Sequence, residues 1–348
     1  MNKKTVLVTR KIPNVSPLTS EAELEVFMGQ ERPPTREELL TGIKGVSAVI
    51  SLLTEKMDGE VMDAAGESLK IIANYAVGYD NIDIEEATKR GIIVTNTPGK
   101  VEAVAEHALA LCLTLGKNII KEDKFVRNGD YKFWNPNIFI SPYLKNRTLG
   151  IIGAGRIGAH LAEIGHSIFK EILYTDVKEN REIENRFGAK KVSLENLARE
   201  SDFVSIHTVL NDKTRHMINA DVLSKMKKTA YIINTSRGGV IDESALVDAL
   251  SDGVIAGAGL DVFENEPKVH KKLMLLDNVI LTPHVASATD ASRAEMSDIA
   301  IENVMGILFE GKIPASVVNR DVIGKSRVES LVRSGDVSSR AKLYTSLF

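Results

Sequence analysis

Apolar residues in the first hundred positions fall into short runs separated by charged stretches with helical periodicity. Residues 4–9, 47–53 (SAVISLL), 69–74 (LKIIAN) and 91–95 (GIIVT) read as strands, and 35–43 and 84–89 as helices. Strands alternating with helices predict a parallel sheet covered on both faces. Asn96-Thr97-Pro98-Gly99 breaks this pattern, and a long helix follows over 101–119, with Glu102 and Glu106 near its positive end. A second series begins at 148–152, with further strands at 171–174, 203–207, 230–234, 254–260 and 279–281. Helices are predicted between them at 157–168, 194–199, 220–226 and 243–251, and another after Pro283 at 292–310. The expected architecture is α/β, two doubly wound Rossmann-like domains. The second domain, 100–286, is inserted into the first, 1–99, to which the chain returns over 287–320. Residues 321–348 carry no clear core pattern.

The helix at 101–119 has one further implication. Val104, Ala105, Ala108, Leu109, Leu111, Leu113 and Leu115 line more than one of its faces. A helix apolar nearly all round must be buried beyond its own domain, which predicts a homodimer with this helix at the interface.

Composition narrows the class without changing the picture. A length of 348 residues exceeds what one core usually organises. A net charge of −3 gives no reason to expect nucleic acid or an anionic membrane as partner. No apolar run is long enough to span a bilayer, and the N-terminal run Val6-Leu7-Val8 reads as a strand rather than a leader. The one cysteine, Cys112 in ALALCLTL, reads as a core residue and fits a reducing cytoplasm. No metal site is expected.

Candidate chemistry starts where the strand TLGII runs into Gly153-Ala154-Gly155-Arg156-Ile157-Gly158 and then a helix. Strand, glycine turn and helix together form a dinucleotide fingerprint. Gly153 permits the tight turn, Gly155 lets the backbone approach a pyrophosphate, and Gly158 lets helix and strand pack closely. Arg156 and Ile157 open the helix, whose N–H groups face the phosphates. Asp176 ends the next strand, where a carboxylate accepts ribose hydroxyls and repels a 2′-phosphate, so NAD(H) is expected over NADP(H).

Three more segments place polar groups at strand ends, where open α/β sheets bind ligands. Residues 232–242 carry Arg237, residues 259–267 carry Glu266, and residues 281–289 carry His284. Reduction of a 2-oxo acid builds negative charge on the carbonyl oxygen, and that oxygen must then be protonated. Histidine can donate the proton near neutral pH, a neighbouring carboxylate favours its charged form, and arginine can bind and polarise the acid.

These segments resemble the D-isomer-specific 2-hydroxyacid dehydrogenases, over roughly residues 4–319. The resemblance implies Arg237, Glu266 and His284 as catalytic residues. Glu266, the acid before proline, is the match, so Glu264 is left out. It also implies Asp261 at the nicotinamide carboxamide, His207, Thr208 and Val209 near the adenosine, and Thr235 and Ser236 on the nicotinamide side. In the N-terminal domain it places the Val77 and Gly78 peptide N–H groups on the substrate carboxylate. Leu53 and Thr54 are strand-end residues expected in the same cleft, where Arg237 and His284 also bind substrate. Residues 36–99 are similar to glyoxylate/hydroxypyruvate reductases. Two departures stand out: Val104-Ala105-Glu106-His107 looks more like D-lactate and formate dehydrogenases, and Val285-Ala286 replaces the usual Ile-Gly. His107 itself reads as an interdomain or dimer contact. D-lactate dehydrogenase and an NADH-sensing, corepressor-like binding protein are the alternatives.

Overall fold

Each apolar run forms a parallel strand, and the alternation of its side chains decides which helices cover it. The computed structural model describes residues 3–21, 23–323 and Arg327, so most of the segment at 321–348 lies outside the described residues. The chain divides into two units, Met1–Lys100 with Thr289–Phe348, and Val101–Ala288. Both are α/β and Rossmann-like.

In the first unit, strands β1 (Lys4–Val8), β2 (Leu24–Met28), β3 (Ala48–Ser51), β4 (Ile71–Asn74) and β5 (Ile93–Thr95) form one parallel sheet of order β2-β1-β3-β4-β5. Val6, Val8, Ile50 and Ala73 point to one face, packed with Met296, Ala300, Ile301 and Val304 of the helix Asp290–Met305. Val49, Ile72 and Val94 point to the other, under the helices Arg36–Gly42, Gly59–Ala65 and Ile84–Lys89. With both faces covered, strands β3 to β5 are buried throughout and read as apolar runs closed by one polar residue each, Ser51, Asn74 and Thr95. The edge strand β2 escapes the sequence pattern because Glu23 and Glu25 interrupt it and only Leu24 is buried. The predicted helix at 292–310 becomes Asp290–Met305 followed by a π turn, Gly306–Glu310.

The second unit has strands β6 (Thr148–Ile152), β7 (Glu171–Thr175), β8 (Lys190–Lys191), β9 (Phe203–Ile206), β10 (Tyr231–Asn234), β11 (Gly257–Leu260) and β12 (Val279–Leu281). Their order, β12-β11-β10-β9-β6-β7-β8, reverses between β6 and β9, and a ligand crevice belongs at the carboxyl ends there. The two-residue β8 and the helix Arg181–Phe187 were not anticipated, since charge dominates both.

The long helix runs only from Val101 to Gly116. Asn118 then turns through a left-handed backbone (φ 57°), and a separate helix, Ile119–Arg127, follows. Ala105, Ala108, Leu111, Cys112 and Leu115 pack with Leu149, Ile151, Leu161, Phe203 and Ile233 of the same unit. Its apolar faces therefore find their partners in its own unit, which corrects the argument that they need a second chain. Burial pushes the Cys112 thiol up to about 12, so it stays protonated. Among the described residues, no single helix is long and apolar enough to cross a membrane.

Candidate active site

The turn after β6 has the form a dinucleotide requires. Gly153 has φ 92°, a region costly for any side chain, and a Cβ there would lie 2.7 Å from the His207 carbonyl oxygen. A Cβ on Gly155 would meet nothing within 4 Å, so the backbone is open to an approaching group. Arg156 and Ile157 begin the helix Arg156–Gly165, and Gly158 is buried in its first turn. Asp176 does more than the sequence suggested. Its Oδ2 accepts from the Ala154 N–H (2.8 Å) and its Oδ1 from the Lys178 N–H (3.1 Å), tying β7 to the glycine turn. Each oxygen keeps acceptor capacity for a hydroxyl.

Two polar atoms near this crevice are buried with no hydrogen-bond partner among the described residues, His207 Nδ1 and Thr235 Oγ1. Such atoms are costly unless something else satisfies them. His207 Nε2 pairs with Ser205 Oγ at 2.8 Å, and burial pushes the ring down to about 4, so it stays neutral. Thr208 is half-buried and Val209 exposed. Open backbone at Gly155, orphaned polar atoms and a strand-end carboxylate together fit a dinucleotide.

Arg237, Glu266 and His284 are brought together beyond β10, β11 and β12. His284 Nδ1 donates to Glu266 Oε2 at 2.8 Å, which leaves Nε2 as the ring atom able to hand a proton outward. The other carboxylate oxygen, Oε1, accepts from the Phe263 N–H at 3.0 Å. Burial alone would raise the Glu266 carboxyl. The hydrogen bond and charge of His284, the Phe263 N–H and the charge of Arg237 outweigh it and hold the carboxyl below its usual range. His284 sits in the left-handed region at φ 56°, a conformation that costs about 1–3 kcal/mol and needs its surroundings to hold it.

The holding group is Asp261, fully buried at the end of β11. Its Oδ1 accepts from Thr282 Oγ1 (2.6 Å) and the Val285 N–H (2.9 Å), and its Oδ2 from the Ala286 N–H (2.8 Å). The His284 N–H donates to the Asp261 carbonyl at 2.8 Å. Asp261 thus clamps the whole His284–Ala286 turn. His107 lies beneath it, with Nε2 3.1 Å from Thr282 Oγ1, and so supports this turn within its own unit. Asn234, at the end of β10, fixes the Arg237 turn. Its Nδ2 donates to the Arg237 carbonyl (3.0 Å), and its Oδ1 accepts from the N–H (3.0 Å) and hydroxyl (2.8 Å) of Ser236. Sequence reasoning passed over Thr282 and Asn234. Only Asn234 had a visible signal, an amide closing an apolar strand.

Val77, Gly78 and Leu53 belong to the first unit, after β4 and β3. Asn96 Nδ2 donates to the Val77 carbonyl (2.7 Å) and Asn74 Nδ2 to the Gly78 carbonyl (2.9 Å). Because a trans peptide points its N–H opposite its carbonyl, the Gly78 N–H is turned away from Asn96 and fixed. Leu53 and Val77 are exposed. Thr54 Oγ1 donates to the buried Glu55 carboxylate at 2.6 Å, which holds its loop.

Residues 109–286 match the family model described as D-isomer specific 2-hydroxyacid dehydrogenase, NAD binding domain. The chain is 45% identical over 331 residues to a glyoxylate reductase of Thermococcus litoralis, covering 93% of this chain and 99% of that one. A glyoxylate reductase structure from Paecilomyes thermophila superposes with a TM-score of 0.79 at 33% identity, covering 89% of this chain and 97% of the other. D-lactate dehydrogenase from Aquifex aeolicus, complexed with NAD and lactic acid, gives 0.79 at 29% identity, covering 93% and 98%.

Proposed function

The chain belongs to the D-isomer specific 2-hydroxyacid dehydrogenases, and on that premise we propose that it is an NAD(H)-dependent reductase of glyoxylate and hydroxypyruvate. The observation that carries this reading is the His284–Glu266 pair with Arg237 at the strand ends beside a dinucleotide turn. When bound at that turn, NADH supplies the hydride. The residues do the rest. Arg237 takes the acid through its fork of donors and stabilises charge growing on the carbonyl oxygen. His284 Nε2 delivers the proton to that oxygen, and Glu266 stabilises the imidazolium from the far side of the ring. Asp261, Thr235 and Ser236 face the nicotinamide, and His207, Thr208 and Val209 the adenosine. Val77, Gly78 and Leu53 bind the acid, the Val77 and Gly78 N–H groups on its carboxylate. A chain with a single, buried thiol suits the reducing cytoplasm.

Initial rates on glyoxylate, hydroxypyruvate and pyruvate test the substrate assignment. Glyoxylate and hydroxypyruvate are expected to lead, and a clear preference for pyruvate would make the chain a D-lactate dehydrogenase instead. Cofactor choice rests on Asp176, whose charge opposes a 2′-phosphate. NADH should be preferred over NADPH in kcat/KM, and Asp176→Ala should narrow that preference. Equal or better use of NADPH by the parent would remove the argument.

A homodimer completes the proposal, with its contact moved from the long helix to the segment after it. Between 119 and 143, Ile120, Val126, Phe133, Trp134, Ile140 and Tyr143 are all exposed, Trp134 and Ile140 by three-quarters. So many large apolar side chains on one segment mark an association surface, and a second copy carries the matching one. Sedimentation at micromolar concentration should show a dimer, reduced to monomer when Phe133, Trp134 and Ile140 are replaced by Ser. A monomeric parent would refute it.

A further inference from the structure

Outside the three catalytic side chains, the second unit holds a cluster of titratable groups with no assigned role. It lies where the Arg237 turn meets the Glu266 turn. Gly238 makes that meeting possible, since a Cβ there would fall 1.9 Å from the Phe263 carbonyl carbon and 2.3 Å from the Glu264 nitrogen. Arg237 and Glu266 are therefore separated by one backbone-to-backbone contact, and anything that holds this contact sets their spacing.

His216 touches both sides of it. Its backbone N–H donates to the Gly239 carbonyl at 2.9 Å, and its ring Nε2 donates to Glu264 Oε1 at 2.6 Å. Glu264 is held in turn by Glu243, a buried acid at the start of the helix Glu243–Ser251. The Glu264 N–H donates to Glu243 Oε2 at 3.0 Å, and the Glu243 N–H donates back to Glu264 Oε2 at 3.4 Å. His216 adopts φ 51°, an independent sign that the surroundings fix its conformation, because a non-glycine residue enters this region at a cost. The Phe263–Glu264 peptide lies at the centre. The Phe263 N–H holds Glu266, its carbonyl side packs on Gly238, and the Glu264 side chain reaches His216.

We propose that His216 and Glu264 are positioning residues, a brace that fixes Arg237 relative to the Glu266–His284 pair. The brace touches neither acid nor cofactor and acts through the two turns it joins. The inference rests on the roles given above to Arg237 and Glu266. A displacement of order 1 Å in a reacting group can cost about 10²-fold in rate, so loss of the brace is felt in catalysis before it is felt in folding.

The test uses His216→Asn, Glu264→Ala and the double variant, with Arg237→Lys and the parent measured beside them. Asparagine tolerates the left-handed backbone and keeps the Gly239 contact, but is too short to reach Glu264. Each single variant is expected to lose about tenfold in kcat/KM for glyoxylate, while NADH affinity by fluorescence titration stays within twofold. The double variant should lose no more than the worse single one, since both break the same link. Unchanged kinetics with a lowered Tm would show that the cluster serves stability alone and overturn the proposal, as would additive losses. If Arg237→Lys were also without effect, the site assignment itself would have failed, and the brace with it.

Discussion

Replacing His284 by Ala is expected to lower the rate of glyoxylate reduction roughly 10²–10⁴-fold, the usual scale for loss of a general acid. NADH affinity should hardly change, because the glycine turn and Asp176 stand on other strand ends than β12. The same pair governs pH dependence. Glu266 is held below the usual carboxylate range by His284, the Phe263 N–H and Arg237, despite the opposing effect of burial, so it remains ionised throughout the working range. Because the Glu266 carboxyl is held low, the parent should keep its reductive activity down to pH values below the usual carboxylate range, and Glu266→Gln, which loses the charge, should lower kcat across the whole range. An unchanged kcat in Glu266→Gln would contradict the pairing that the 2.8 Å contact implies. A His284→Ala variant retaining most of the parental rate would place the proton donor elsewhere.

Arg237→Lys is expected to lower kcat/KM for the acid roughly 10²–10³-fold, the scale of losing one donor to a developing oxyanion. A small 2-oxo acid has almost no apolar surface, so its binding rests on charge and hydrogen bonds. Lysine keeps the charge but loses the planar fork, and the swap is not conservative at a bidentate site. Both parameters should suffer: KM rises because ground-state contacts are lost, and kcat falls because charge on the oxygen grows in the transition state. The local structure supports a specific role for the side chain. Asn234 fixes the turn from below, and the Arg237 guanidinium lies near enough to Glu266 to lower its pKa. Loss of NADH binding with KM for the acid preserved would mean that Arg237 serves the cofactor instead.

The α/β class was legible because parallel strands buried on both faces read as short apolar runs, as Ala48–Ile50 and Ile71–Ala73 do before the polar Ser51 and Asn74 that close them. Where that reason fails, so does the reading. The edge strand Leu24–Met28 buries little, and the charged helix Arg181–Phe187 has one buried residue, Ile183. The long helix misled for a different reason. Periodicity shows how much apolar surface it must bury, but not that Leu149, Phe203 and Ile233, distant in sequence, cover it. Arg237, Glu266 and His284 could be picked out because each stands at a strand end beside a nucleotide fingerprint. How they are held could not. Asp261 is expected only at the nicotinamide carboxamide, and its bonds to the Val285 and Ala286 N–H groups, like the bridge His216 makes between two turns, are tertiary relations that no single segment shows.

The central claim is that these side chains turn over a small 2-oxo acid at the expense of NADH, and one measurement addresses it. NADH oxidation by the purified chain is followed as glyoxylate is raised, in the parent and in His284→Ala. The account predicts saturable, glyoxylate-dependent oxidation in the parent, reduced at least 10²-fold in the variant while NADH still binds. Tight NADH binding without turnover of glyoxylate, hydroxypyruvate or pyruvate would contradict it, and would leave the chain a nucleotide-sensing protein built on an enzyme's fold.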